Sequence, residues 1–380
     1  MRGMTESILD VVIGCDCDPD RPGYDGTRYD SRAPLRWHGV RNGIPRAREI
    51  ADEFVDDFGS PVRITWCVRS DAQMADIYGD FAWPYAEFAD LWQELEAEGD
   101  EIAWHPHLWR WDEEDGCWYQ EIEDEEWIRD CLRGGYEALC ERMGRVPTTS
   151  RMGWEFHNNV TMDEIRRLGI TLDFSAIPGR FTPGAADRWG SSFNGHVDWH
   201  GTPQEPYVPS ALDYRRPADG ETGSDLVELP MSVFRSRALA LAAFTRGLVK
   251  ARGHGRISRL QSWRTALAAP LKAYISAHPQ LFRRLVRAKL RYVRAGRWAV
   301  LVTAFHPDEV LGDSTLGHSS GANRHFTRNI EQLQSLAAEA GVALRFASAS
   351  GFARDRHSVC DHLADGGPQN RSTESAVTAG

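Results

Sequence analysis

Over the first 170 residues, short apolar runs alternate with longer amphipathic stretches. Ile8–Cys15 is apolar almost throughout and reads as a buried strand. Arg46–Phe58 places Ile50, Phe54 and Phe58, with Ala47 and Ala51, at helical spacing. Val62–Val68 is a second strand candidate, and Tyr85–Glu98 a helix with Phe88, Leu91, Trp92 and Leu95 on one face. Glu101–His105 is a short strand, followed by a helix over Asp124–Met143 that carries Trp127, Cys131, Tyr136, Leu139 and Cys140. A further helix is expected from Thr161, where Glu164 completes a Thr-x-x-Glu capping box, and Ile170–Phe174 is another strand. Repeated strand–helix units predict a parallel sheet, open or closed into a barrel, with functional residues at the C-terminal ends of the strands.

The pattern then changes. Residues 179–223 are rich in Gly, Pro, Ser and Asp and read as a long functional loop or lid. Leu226–Pro230 is a short strand candidate. From Leu229 to Pro307 there is no Asp or Glu, while sixteen Lys or Arg lie between Arg235 and Arg297. Two or three helices fit there, the last over Leu281–Arg297 with Leu281, Leu285, Ala288 and Tyr292 near one face. The α/β alternation returns with a strand at Trp298–Phe305, a helix at Asn329–Ala340 and a strand at Val342–Ala347. The organisation expected is one catalytic domain over 1–364 with a basic helical insertion at 235–297, and a polar, disordered tail at 365–380.

A chain of 380 residues with 42% hydrophobic and 10% aromatic content can bury its own core without disulfide staples. A formal charge of −11 argues against general nucleic-acid binding, which runs on excess Lys and Arg. The seven cysteines are odd in number and include no CxxC pair, so neither a disulfide framework nor a structural zinc site is implied. Neither a signal-peptide pattern nor an 18-residue apolar run occurs, so the expected location is the cytoplasm. The 86–137 stretch carries eighteen Asp or Glu against three Arg, opposite in sign to the basic insertion. That insertion is read either as a lid packed on the acidic part of the chain or as a peripheral contact with the inner face of an anionic membrane.

Three segments place metal-type ligands just after a strand. In VIGCDCDPD, Asp16 and Asp18 stand two apart, and an extended chain turns both to one side. In EIAWHPHLW, His105 and His107 share that relation, and LVTAFHPDE delivers His306 at the end of a strongly apolar strand. Two neutral imidazoles and one carboxylate form a catalytic zinc set with an open position for water. A second carboxylate can serve as base and another histidine as acid. Each pair alone is a weak signal, because thirteen histidines make some close pairs by chance and loops after strands are rich in Asp. Their joint placement at strand ends favours a metal site.

The order Asp-x-Asp, Glu-Ile-x-x-His-Pro-His, SRMGWEFHNN with a helix and LDFSA, then VELP and a strand ending in His resembles the NodB-type polysaccharide deacetylases. The resemblance runs from about Val11 to Ala347, with the basic segment as an insertion. It implies a distorted (β/α) barrel of about seven parallel strands with a divalent ion, usually zinc, at its mouth. Asp16 matches the general base, Asp18 the metal carboxylate, His105 and His107 the metal histidines, Arg151 the arginine that holds the base, and His306 the general acid. Trp109, Trp154 and Asp173 are the expected substrate contacts. The reaction implied is removal of an N-acetyl or other small acyl group from an amino sugar. The chain departs from the family pattern in four ways: Cys17 separates the aspartates, the histidines are two rather than four apart with Trp at 109, the arginine motif lacks its proline, and VELPMSV lacks a tryptophan. A same-fold hydrolase of a non-sugar amide, or an inactive carbohydrate-binding or membrane-docking relative, are the competing readings.

Overall fold

The computed structural model describes residues 7–20, 31–182, 197–218, 225–234, 270–294, 299–311 and 322–355. Its architecture follows from β1 (Ile8–Cys17), in which nine of ten residues are buried. A strand apolar on both faces must be covered on both, which a parallel sheet flanked by helices provides. The one charge inside its apolar half, Asp10, accepts a hydrogen bond from Arg345 Nε at 2.6 Å. One edge of β1 pairs in parallel with β13 (Ala299–Phe305) from Leu9 to Cys15. Its first half also pairs with β14 (Ala343–Ala347) and its second half with β2 (Ile64–Arg69).

From β2 the sheet continues through β3 (Glu101–His105), β6 (Thr149–Ser150), β7 (Leu172–Asp173) and β10 (Val227–Glu228). The order is β10-β7-β6-β3-β2-β1-β13, with β14 beside β1, and every pairing is parallel. Beyond β10 the chain crosses to the far edge, where Ser232 N donates to Val302 O at 2.9 Å. There Ala273 N reaches Ser232 O at 3.0 Å and Ile275 N reaches Ala304 O at 3.1 Å. These bonds draw the two ends of the sheet together, and the fold is the distorted (β/α) barrel expected. Short antiparallel pairs stand outside it: β4 (Trp109–Asp112) with β5 (Cys117–Gln120), β8 (Phe181–Thr182) with β9 (Val197–Asp198), and β11 (Val233–Phe234) with β12 (Leu271–Lys272).

Several local expectations need correction. The helix expected over Tyr85–Glu98 is two, Trp83–Glu87 and Ala89–Ala97, broken at Phe88 with φ −116° and ψ 32°. The helix expected from Thr161 spans Asn159–Arg167; its cap is Asn158, whose side chain accepts from Thr161 N, and Glu164 instead takes Arg129 at 2.8 Å. The basic helix runs Pro279–Arg294, and its buried face is Phe282, Leu285, Val286, Leu290 and Val293, so Tyr292 is 39% exposed. The shift arises because the face in contact with the barrel is set by all the apolar positions rather than by an i, i+4 row. Residues 179–223 hold the hairpin β8–β9 and a fully buried Trp199, with 183–196 and 219–224 outside the described residues. Residues 235–269 and 295–297 of the basic segment and the 365–380 tail also lie outside them. Among the described residues, no helix is long and apolar enough to cross a membrane.

Candidate metal centre

Four parallel strands end at one mouth and deliver the chemistry-bearing residues. β1 brings Asp16 and, just past its end, Asp18; β3 ends at His105 and is followed by His107; Arg151 follows β6, and His306 follows β13. Asp18, His105 and His107 are 7%, 2% and 3% exposed, and one ligand atom from each lies within 4.8 Å of the others. His107 Nε2 stands 3.3 Å and His105 Nε2 3.8 Å from Asp18 Oδ1, and the two Nε2 atoms are 3.2 Å apart.

The ring of His105 is oriented by its other nitrogen: Nδ1 lies 2.6 Å from Arg151 O and donates to it, which leaves Nε2 as a lone pair facing the cluster. Burial, reinforced by Arg69, pulls His107 down to about 4, so its imidazole is neutral at ordinary pH. Two imidazole nitrogens converging on one carboxylate oxygen in a dry site need a cation or a proton between them. The His₂Asp donor set is the one that suits a zinc-like divalent ion. Gly153 permits the arrangement, because a Cβ there would stand 2.2 Å from the His107 ring.

Asp16 lies beside this cluster. Arg151 Nε donates to its Oδ1 at 2.5 Å and Nη2 to its Oδ2 at 3.4 Å, with the guanidinium fully buried and its Nη1 on Phe174 O. Burial alone would raise Asp16, but Arg151, His105 and His306 outweigh it and hold the carboxyl below its ordinary range. Asp18 is held well below the usual range, its burial offset by the two histidines. His306 Nε2 stands 3.8 Å from Asp16 Oδ2 and 3.8 Å from Asp18 Oδ2, and its backbone N–H donates to Glu309 Oε2 at 3.2 Å.

Trp109 stacks nearly parallel to His107, with centroids 6.3 Å apart at 12°, and Trp154 meets Trp109 edge-on at 6.1 Å. Trp154 and Glu155 are consecutive left-handed residues, at φ 57° and 56°, a conformation that costs about 1–2 kcal/mol per residue. Glu155 is held there by ion pairs to Arg180 and Lys272, by Tyr274 Oη at 3.2 Å, and through its carbonyl by Trp199 Nε1 at 2.8 Å. Asp173 is fully buried behind the mouth, accepting from Ser150 Oγ at 2.6 Å and Ser175 N at 2.9 Å, with His157 Nε2 at 3.3 Å. His157 overrides the effect of burial and holds Asp173 down to about 2, whereas burial and Asp173 push the neighbouring Glu228 well up.

Sequence reasoning missed Arg69 and Asp71. Arg69 is 1% exposed and donates to Asp18 Oδ1 at 3.1 Å, Asp71 Oδ2 at 2.5 Å and Gln73 Oε1 at 3.0 Å. Asp71 in turn accepts from His107 N at 3.2 Å and caps the helix Ala72–Tyr78 through Gln73 N and Met74 N. The i, i+2 relation at a strand end that singles out Asp16/Asp18 and His105/His107 applies equally to Arg69/Asp71 after β2.

The molecule is thus a distorted parallel (β/α) barrel with an Asp-His-His cluster, a buried Arg–Asp pair and a histidine at the C-terminal mouth. Comparison with family models and with curated proteins finds no match. Solved structures similar to the chain include a putative polysaccharide deacetylase from Mycobacterium smegmatis, with a TM-score of 0.49 and 17% identity over 95% of this chain and 93% of that one. Puue allantoinase aligns with a TM-score of 0.48 and 11% identity over 94% and 92% of the two chains. IcaB from Ammonifex degensii aligns over 50% of this chain and 91% of its own, with a TM-score of 0.22 and 16% identity.

Proposed function

We propose that the chain is a metal-dependent hydrolase that removes an N-acetyl or other small acyl group from an amino sugar or sugar-containing substrate. The observation that carries this is the juxtaposition of Asp16, clamped by Arg151 at 2.5 Å, with the Asp18-His105-His107 cluster and His306 3.8 Å away. A pure binding site has no use for an ionised carboxylate and a histidine set together beside a metal-type cluster.

Asp18, His105 and His107 would hold the ion, for which zinc is the expectation. When bound, it supplies Lewis acidity toward a carbonyl and lowers the pKa of water. Asp16, kept ionised and oriented by Arg151, takes the proton of the attacking water. His306, whose Nε2 stands 3.8 Å from both carboxylates, gives a proton to the departing amine. Trp154, only partly buried, can offer a face to a sugar, and Trp109, buried between it and His107, backs that face. Asp173 contributes to substrate placement indirectly, because its hydrogen bonds to Ser150 and Ser175 bracket the segment that carries Arg151.

The test is elemental analysis of the purified chain beside a His105→Ala/His107→Ala double variant, followed by a hydrolysis panel. About one divalent ion per chain, lost in the variant, is expected. Release of acetate from acetylated amino sugars by the loaded chain, absent in Asp16→Asn, completes the reading. Turnover confined to non-sugar amides would replace the substrate class and keep the mechanism. Absence of metal from both proteins after reconstitution would remove the mechanism.

A further inference from the structure

The helix Pro279–Arg294 contains no acidic residue, and its buried face packs Phe282, Leu285, Val286, Leu290 and Val293 inward. Arg283, Arg284, Arg287, Arg291 and Arg294 are all exposed. At 100° per residue these five fall within an arc of about 100°, clear of the apolar face. Along that arc Arg283, Arg287 and Arg291 repeat every four residues, so the row extends over roughly 12 Å.

What sets these arginines apart is that so many without an acid partner lie together on one helix face. Many other surface arginines find acids: Arg129 pairs with Asp163 and Glu164, Arg133 with Asp130, Arg142 with Asp80, and Arg167 with Asp163. Among the described residues, the guanidiniums of Arg283, Arg284, Arg287 and Arg291 have no ion-pair or hydrogen-bond partner, and that of Arg294 meets the carbonyl of Ala340 at 3.0 Å. In a chain of net charge −11, acids to neutralise such a row are plentiful, yet no Asp or Glu occurs anywhere from Leu229 to Pro307. Five like charges on a helix face repel one another, and the helix is kept by its apolar contacts despite them.

We infer that this face is a docking surface for an anionic lipid bilayer. The partner must be polyanionic to complement an unpaired guanidinium row. The row lies along the outer wall of a single helix, so it suits a flat surface of headgroups better than a strand that needs a groove and stacking platforms. Tyr292, 39% exposed at the border between the arginine row and the apolar face, is the kind of residue that settles at a headgroup boundary. The helix packs on the helix Ala322–Ala340, β13 and β1, none of which belongs to the strongly acidic 86–137 stretch. The contact is electrostatic and peripheral, because the apolar residues of this helix are already committed to the barrel.

The experiment is co-sedimentation of the full chain with vesicles of phosphatidylcholine alone and with vesicles containing one third phosphatidylglycerol, at low and high salt. Binding to the anionic vesicles only, weakening as salt rises, is expected. Each arginine near such a surface is worth a factor of about five, so Arg283→Gln/Arg284→Gln/Arg287→Gln/Arg291→Gln should weaken binding by on the order of 10²-fold or more. The four side chains are exposed and unpaired, so the variant's circular dichroism and unfolding temperature should match the parent's and report directly on folding. Equal binding to neutral and anionic vesicles, undiminished binding by the folded variant, or retention on duplex DNA without retention on vesicles would each overturn the assignment. None of these outcomes bears on hydrolysis, which is measured separately on soluble substrates.

Discussion

Arg69 Nη1 donates to the same Asp18 oxygen, Oδ1, that the Nε2 atoms of His105 and His107 face. A buried guanidinium therefore already occupies the carboxylate oxygen that the two histidines face. Together with Arg151 on Asp16, Arg69 offsets part of the negative charge at the mouth in the absence of an ion, so the ligands can stand preassembled. Its own charge is balanced by Asp71, which also holds the backbone of His107.

Arg69→Met should therefore make the fold depend on metal. Removing one partner from a buried charge network costs about 3–5 kcal/mol, and Asp18 and Asp71 would be left uncompensated in the metal-free chain. A divalent ion at Asp18 would restore part of that loss. Thermal unfolding with chelator and with zinc should show a larger metal-induced rise in Tm for the variant than for the parent. Equal rises in the two proteins would mean that Arg69 does not stand in for the ion.

Asp16→Asn removes the charge that Arg151 clamps while leaving the shape of the site. A positioned general base contributes about 10²–10⁴-fold, so hydrolysis should fall by that factor with metal content unchanged. Loss of activity accompanied by loss of metal would instead make Asp16 a ligand. Activity within a few-fold of the parent would remove it from the mechanism altogether.

The metal cluster can also be disturbed without touching a ligand. Gly153 has ordinary backbone angles, yet a Cβ there would stand 2.2 Å from the His107 ring, and the ring has to move. Gly153→Ala should weaken divalent-ion affinity by about 10–100-fold, the range seen when support around a ligand is lost. Competition with a chromogenic chelator reads this directly. An unchanged affinity would show that His107 is dispensable to the ion.

How much of this was legible in the chain differs by residue. The barrel was, because a parallel sheet covered on both faces writes near-continuous apolar runs such as Ile8–Cys15, and a strand end converts i, i+2 spacing into a shared direction. That rule anticipated that Asp16, Asp18, His105, His107 and His306 would meet, and the structure brings them together at one mouth. Arg69 and Asp71 obey the same rule and were passed over because an arginine is not a ligand type. The hairpin β4–β5 was hidden by its mixture of tryptophan and acid, which has neither period. The pairing of Asp173 with Glu228 joins residues 55 positions apart, and no local pattern encodes it.

That pair yields a pH prediction with a definite sign. In the unfolded chain Glu228 ionises near 4.5, but in the folded protein burial, then Asp173, keep it protonated to well above that value. Above about pH 4.5 the native state thus binds a proton that the unfolded state has released, and stability from this group falls as pH rises. Asp173, held down to about 2, acts in the opposite sense, but its contribution is complete above its unfolded pKa and stays flat from there upward. Glu228→Gln replaces a neutral acid with a neutral amide and removes the slope. Denaturant unfolding at intervals between pH 5 and 8 should show the variant gaining on the parent steadily with pH. A difference that stays constant across that range would mean Glu228 is ionised beside Asp173 in the folded protein.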